Sequence, residues 1–224
     1  MKNKKIPMIQ SILGCVVISL LTSCSSFNTK NKLEPVPEIH PGILQGYLPV
    51  KTLPNSLALI PPPPAEDSVA FALDEKVNFE SLALQDTPRW KLAAQDADLS
   101  FPAVAGTFSC ALNAPISEEE TPQLYRLLHR TLADAGLSSY SAKNHYNRTR
   151  PFVLNKQPTC SPGDEEALSN DGSYPSGHTA IGWAWALILT EISPEQTDAI
   201  LARGWAFGQS RTICNVHWQS DVLM

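Results

Sequence analysis

Three short stretches, far apart in a chain of 224 residues, concentrate the groups that can hold and move a negatively charged group. Lys143 stands seven residues before Arg150-Pro151. Tyr174-Pro175 leads into Ser176-Gly177-His178. Arg211 is followed after five residues by His217, and after three more by Asp221. A phosphoryl group in an in-line displacement spreads negative charge over its equatorial oxygens, and a catalyst without a metal needs fixed cations and N–H donors there. Lys143, Arg150 and Arg211 can supply the cations. Each arginine fork matches two oxygens at once, which a lysine point charge cannot imitate. Ser176 adds a hydroxyl, and Gly177 a backbone N–H that a ligand can approach closely. A helix starting just after them aims its N-terminal amides at the same anion.

His217 and Asp221 sit four residues apart, so on a helix they share a face. The carboxylate then accepts the proton of one ring nitrogen and leaves the other exposed. Singly, each stretch has a plainer reading: a solvated basic face, a capped helix start, a surface pair. Their conjunction, in this order and spacing, resembles the tripartite signature shared by type 2 phosphatidic acid phosphatases, class A bacterial nonspecific acid phosphatases and vanadium haloperoxidases. Leu53-Pro-Asn-Ser-Leu57, Thr87-Pro-Arg-Trp90, Asp96-Ala-Asp98, Phe108-Ser-Cys110, Asp134-Ala-Gly136-Leu137 and Asp171-Gly-Ser-Tyr-Pro175 narrow the resemblance to the class A acid phosphatases.

That resemblance implies an all-α helical bundle that hydrolyses phosphate monoesters of broad range, without metal or other cofactor, through a phosphohistidine. It makes His217 the nucleophile, Asp221 its orienting partner, and His178 the general acid and then the base. Lys143, Arg150, Ser176, Gly177 and Arg211 become the phosphate-binding set. An acidic optimum follows if His178 must start protonated. Such phosphatases continue in further helical sequence after the aspartate, whereas Met224 ends this chain. The resemblance therefore predicts a missing C-terminal helix and a poorly held Asp221. His145 and Arg148, between the matched positions, read as rim residues at most, and His40 and His129 have no partner in sequence.

Two other functions compete. Vanadate-dependent halide oxidation would use the same anion cage. A surface lipoprotein that binds phosphate compounds without turnover would need only the cations. A serine hydrolase centred on Ser176 is weaker, because Tyr174 and His178 stand where a nucleophile elbow needs glycines.

The elements that must position these residues read as helices. Thr87-Pro88 and Thr121-Pro122 each place a capping residue before a proline at the first helical position. After the second, Leu124, Leu127, Leu128 and Leu132 form one stripe, with Gly136 as its C-cap. Thr179 to Ile192 is apolar on nearly all sides and predicts a central buried helix, which Ser193-Pro194 stops. No strand pattern of comparable strength appears.

Composition bounds the rest. At 43% hydrophobic residues the chain can bury a core as one domain. Residues 1–23 carry a basic start and an apolar run, the pattern of an export signal. Leu21-Thr22-Ser23-Cys24 resembles a bacterial lipobox with Cys24 lipidated, the alternative being an ordinary cleaved signal. The expectation is a periplasmic protein tethered to the outer membrane. Residues 24–64, rich in Pro and ending in Pro61 to Pro64, read as a tether and an ordered arm, with the phosphatase domain over 65–224. Without the leader, 14 basic face 22 acidic side chains, which disfavours nucleic acid as a partner. Small phosphate monoesters are the expected partners, and a homo-oligomer stays open. An exported chain permits one disulfide among Cys110, Cys160 and Cys214. Cys110 with Cys160 is the favoured pair, because Cys214 lies inside the third stretch as a packed thiol, but sequence leaves the connectivity open.

Overall fold

The computed structural model describes residues 34–224; the leader, the lipobox and Cys24 lie outside the described residues. Helices dominate: α1 (Ser56–Leu59), α2 (Val69–Leu82), α3 (Pro88–Ala97), α4 (Ser109–Leu112), α5 (Pro122–Ser138), α6 (Tyr140–Tyr146), α7 (Pro151–Asn155), α8 (Glu165–Ser169), α9 (Gly177–Ile192), α10 (Thr197–Ile213) and α11 (Gln219–Leu223). One small antiparallel hairpin, β1 (Glu38–His40) and β2 (Ile43–Leu44), precedes them. The fold is all-α, as expected. The hairpin's strands are too short for an alternating pattern to announce them, although Pro41-Gly42 marks the turn and Gly42 takes φ 76°.

The capping signals explain where the helices start. Thr87 caps α3 by accepting from the Trp90 N–H, and Pro88 follows at the position where no donor is missed. Thr121 departs from that pattern. Its hydroxyl donates to the carbonyl of Pro115 and accepts from the N–H of Ser117, so it ties down the preceding loop instead of the first turn of α5. Gly136, read as a C-cap, lies inside α5, which runs on to Ser138.

α9 is the central helix, and α5 and α10 flank it. Leu128, Leu132, Ile181, Trp185, Leu189, Ile200 and Phe207 form the core with Phe108. The buried indole of Trp185 donates to the Leu128 carbonyl at 3.1 Å, so no donor is stranded. α9 and α10 approach closely because Gly182 and Gly204 carry no side chain; a Cβ at Gly182 would stand 2.3 Å from the Phe207 ring. α9 is not buried all round, however. Trp183 is 40% and Leu187 48% exposed on a groove shared with α10, because α5 and the core cover only one side of the helix.

A second layer is ionic. Asp96 on α3, 1% exposed, pairs with Arg203 and accepts from the Ser210 hydroxyl at 2.6 Å, clamping α3 to α10. A buried carboxylate is stable only when so satisfied. The disulfide joins Cys160 to Cys214, with Cα atoms 4.7 Å apart; Cys110, on α4, is exposed and free. The expected Cys110–Cys160 pair is thereby corrected. The loop after α7 returns to the end of α10, where the Cys160 N–H bonds the Cys214 carbonyl, so Cys214, packed in the core with Ala93, Phe152 and Val216 as expected, is half of the disulfide and not a thiol. Among the described residues no helix is long and apolar enough to cross a membrane.

Candidate active site

The three stretches meet in one pocket of about 350 Å³, lined by Lys143, Arg150, Gly177, His178, Arg211 and His217. Lys143 comes from α6, Arg150 from the N-cap of α7, His178 from the first turn of α9 and Arg211 from the last turn of α10. His217 lies in the bend after α10. Val216 and His217 both direct their N–H to the Arg211 carbonyl at 3.3 Å, so arginine and histidine are carried on one turn. Asn215, at the left-handed apex of that turn, is held by the side chains of Asn78 and Asn155.

The cations are buried and individually anchored. Lys143, 3% exposed, donates to the Gly172 carbonyl at 2.8 Å and stands 3.8 Å from Asp171. Burial first, then Arg150 beside it, pulls its pKa down to about 8. Arg150 directs Nε to the carbonyls of Leu168 and Asp171 and Nη2 to the Asp171 carboxylate at 3.1 Å. Its Nη1 donates to the Val216 carbonyl and faces His217 Nε2 at 3.0 Å. Arg211, lowered to about 9 by burial and then by Arg150, leaves Nε and Nη1 with no hydrogen-bond partner among the described residues. A stranded buried donor costs about 1–3 kcal/mol, and an anion in the pocket would satisfy both.

Two of the expected ligands differ in station. Gly177 lines the pocket, but Ser176 is 2% exposed, and its Oγ accepts from the Thr179 N–H at 3.2 Å as the cap of α9. The amides of the first turn therefore open towards the pocket while the serine closes the helix behind them.

Arginine can only donate, so His217 Nε2 is the acceptor and the ring proton sits on Nδ1. Nδ1 lies 3.4 Å from Asp221 Oδ2, a charge contact without hydrogen-bond geometry. His217 and Asp221 do not share a helix face, contrary to the i, i+4 reading, because α11 starts only at Gln219. Asp221 instead turns back over the helix start and accepts from the Trp218 N–H at 2.8 Å. Burial, reinforced by Arg150, Lys143 and Arg211, pushes the His217 pKa well below its ordinary value. Burial and then Arg211 do the same to His178, whose Nε2 donates to the Ala97 carbonyl at 3.1 Å. Both imidazoles are thus neutral in the anion-free pocket at neutral pH.

Three residues escaped the sequence reading. Arg148, expected at the rim, keeps only 9% of its side chain exposed and lies beside the packed rings of Phe71 and Trp218, 5.6 and 5.5 Å from their centroids. It donates to Asp221 at 2.7 Å and to Asp74 of α2 at 2.8 Å. Asp221 is consequently fully buried and held from two sides, against the expectation that it would be loose. Asp171 is the third, as counter-ion to Lys143 and Arg150. No spacing rule reaches Asp74, which is 147 residues from Asp221; the alternation Arg148-Thr149-Arg150 was the one local hint. His145 is exposed, and His129 stacks on Phe101 and meets the Gly42 carbonyl, so both stay outside the pocket. Among the described residues no three His, Cys, Asp or Glu side chains converge as a metal site.

A helical bundle whose helix ends gather cations and two histidines at one end of a single pocket defines the class. The PAP2 superfamily model matches residues 125–224. Over 169 residues the chain is 50% identical to the non-specific acid phosphatase of Providencia stuartii and 47% identical to that of Salmonella typhimurium, covering 75% of this chain and 68% of each relative. An acid phosphatase of Zymomonas mobilis is 43% identical over 168 residues, 75% of this chain and 64% of that one. The chain belongs to the non-specific acid phosphatases of the PAP2 superfamily, and is an enzyme of that class.

Proposed function

We propose that the enzyme hydrolyses phosphate monoesters of broad range without metal, in two steps joined by a phosphohistidine on His217. The observation that carries this reading is the His217 Nε2 lone pair opening beside Arg150 on a pocket that Lys143 and Arg211 also line. Substrate oxygens replace Nε2 as the acceptor of Arg150 Nη1 and satisfy the free donors of Arg211. The Nε2 lone pair then attacks phosphorus, and the P–O bond to the alcohol breaks. His178 gives the leaving oxygen a proton. Its Nε2 is engaged with Ala97, so the transferable proton is the one on Nδ1. Water next attacks phosphorus and loses its proton to His178; the P–N bond breaks, its electrons return to Nε2, and phosphate departs.

Asp221 keeps the ring proton on Nδ1 and stabilises the positive charge that His217 gains, and Arg148 and Asp74 hold Asp221 at that station. The fixed cations supply the charge that a metal would otherwise provide. Rapid acid-free quenching of His178→Ala with labelled substrate tests the route. A label stable to alkali and lost in acid, present in that variant and absent from His217→Ala, is expected. Undiminished hydrolysis by His217→Ala overturns it. We also propose export to the periplasm with a lipid on Cys24 and, as in the sequence reading, no nucleic-acid partner; mass spectrometry of the mature N-terminus tests the lipid.

A further inference from the structure

The pocket is cationic at one end and apolar at the other. Beyond the phosphate cage its lining is mostly apolar, with Leu99, Leu132, Leu137 and Ile181 beside Ile39 and Ile43 of the β1–β2 hairpin, and its polar members there are His40 and Tyr140. A phosphoryl group fills only the cationic end of a pocket of about 350 Å³, so the apolar end must meet the alcohol.

The hairpin does not stand there by default, because an isolated two-stranded ribbon is marginal in water. α5 pins it. His129 meets the Gly42 carbonyl at 3.1 Å, and Arg130 donates to the carbonyls of Gln45 and Gly46 at 3.0 and 2.7 Å. Asp134 accepts from the N–H groups of Tyr47 and Leu48, while the Arg130 guanidinium lies 3.8 Å over the Tyr47 ring. The chain passes so close that a Cβ at Gly46 would overlap the Asp134 carboxylate. Three α5 side chains thus hold two isoleucines against the pocket, and Ile39 stays 39% exposed there.

We propose that this hairpin is the leaving-group wall of the enzyme and selects monoesters of aryl alcohols over those of small polyhydroxylated alcohols. The inference rests on the phosphatase reading above and deepens it. The aliphatic side chains leave a sugar or glycerol moiety only His40 and Tyr140 as partners, so most of its hydroxyls must shed water without return. A flat apolar ring loses nothing and removes its own surface from water.

The test compares kcat/KM for 2-naphthyl phosphate and glycerol 2-phosphate in the wild type, in Ile39→Ser/Ile43→Ser and in Asp134→Ala. The intrinsic reactivity of the two esters cancels when each variant's ratio is divided by the wild-type ratio. The naphthyl-to-glycerol ratio is expected to fall about ten-fold in the isoleucine variant, chiefly through KM, and to fall in Asp134→Ala, which keeps both isoleucines but releases their anchor. An unchanged ratio in the isoleucine variant overturns the wall. Should that variant not fold, competitive inhibition of the wild type decides: 2-naphthylphosphonate is expected to bind at least about ten-fold tighter than methylphosphonate, and equal inhibition constants overturn the proposal. Phosphonates form no phosphohistidine, so failure of the histidine route and failure of the wall give separate readouts.

Discussion

Arg148 and Asp221 form a buried ion pair at 2.7 Å, and the same guanidinium reaches Asp74 at 2.8 Å. One cation therefore bridges two carboxylates from different helices, and one of the two faces the His217 ring.

Replacing Arg148 by Ala is predicted to leave both carboxylates buried without a counter-charge, a loss of about 3–5 kcal/mol. Arg148→Lys keeps the charge but cannot reach both acids at once. It is expected to fold and to lose about ten- to a hundred-fold in kcat with KM little altered, as for other groups that only orient a reacting side chain. Steady-state kinetics beside a melting curve check this. A kcat that falls only as far as the melting temperature predicts would reduce Arg148 to a structural strut.

The pH dependence has a defined sign. Burial and Arg211 depress His178 in the empty pocket, whereas a bound phosphate dianion favours its charged form. kcat/KM reports the free enzyme and kcat the complex. If His178 delivers the proton, both fall as pH rises through its pKa. The descending limb of kcat/KM is predicted at lower pH than that of kcat. Coincident limbs would mean that the anion does not act on His178.

Stability should move the same way. His178 and His217 are depressed in the fold, so below their unfolded value of about 6.5 the unfolded chain binds more protons and stability is lost. Lys143, lowered to about 8, is fully charged in both states there and contributes nothing further to the slope. Asp221, raised mainly by burial, contributes with the opposite sign. The melting temperature is predicted to drop between about pH 7.5 and about pH 5.5. Inorganic phosphate should recover more of it at the lower value. A flat profile without phosphate would contradict neutral buried imidazoles.

The disulfide closes a loop that contains Gly177, His178 and Arg211. Cys160→Ser or Cys214→Ser is predicted to cost about 2–4 kcal/mol and to lower the denaturant midpoint. Cys110→Ser should change nothing, since that thiol is exposed and unpaired. Equal effects at Cys110 and Cys214 would undo the assignment.

The cage could be read from the chain because its members sit at fixed local spacings near helix ends. Lys143, Arg150, His178, Arg211 and His217 each follow from what a phosphate requires, and the structure gathers them. What escaped depends on contacts that no window contains. Arg148 acquires its partner from α2, and Cys214 meets Cys160 only because a loop folds back on α10. The hydroxyl of Thr121 finds a carbonyl six residues upstream before it finds the helix. The hairpin is five residues of ribbon whose stability lies in α5, so its own pattern was too short to announce it.

His217 and Arg211 hang from one carbonyl, and Asn215 between them is tied to two other asparagines. The separation of imidazole and guanidinium is thereby set within one turn, while Lys143 reaches the same pocket from another helix, α6.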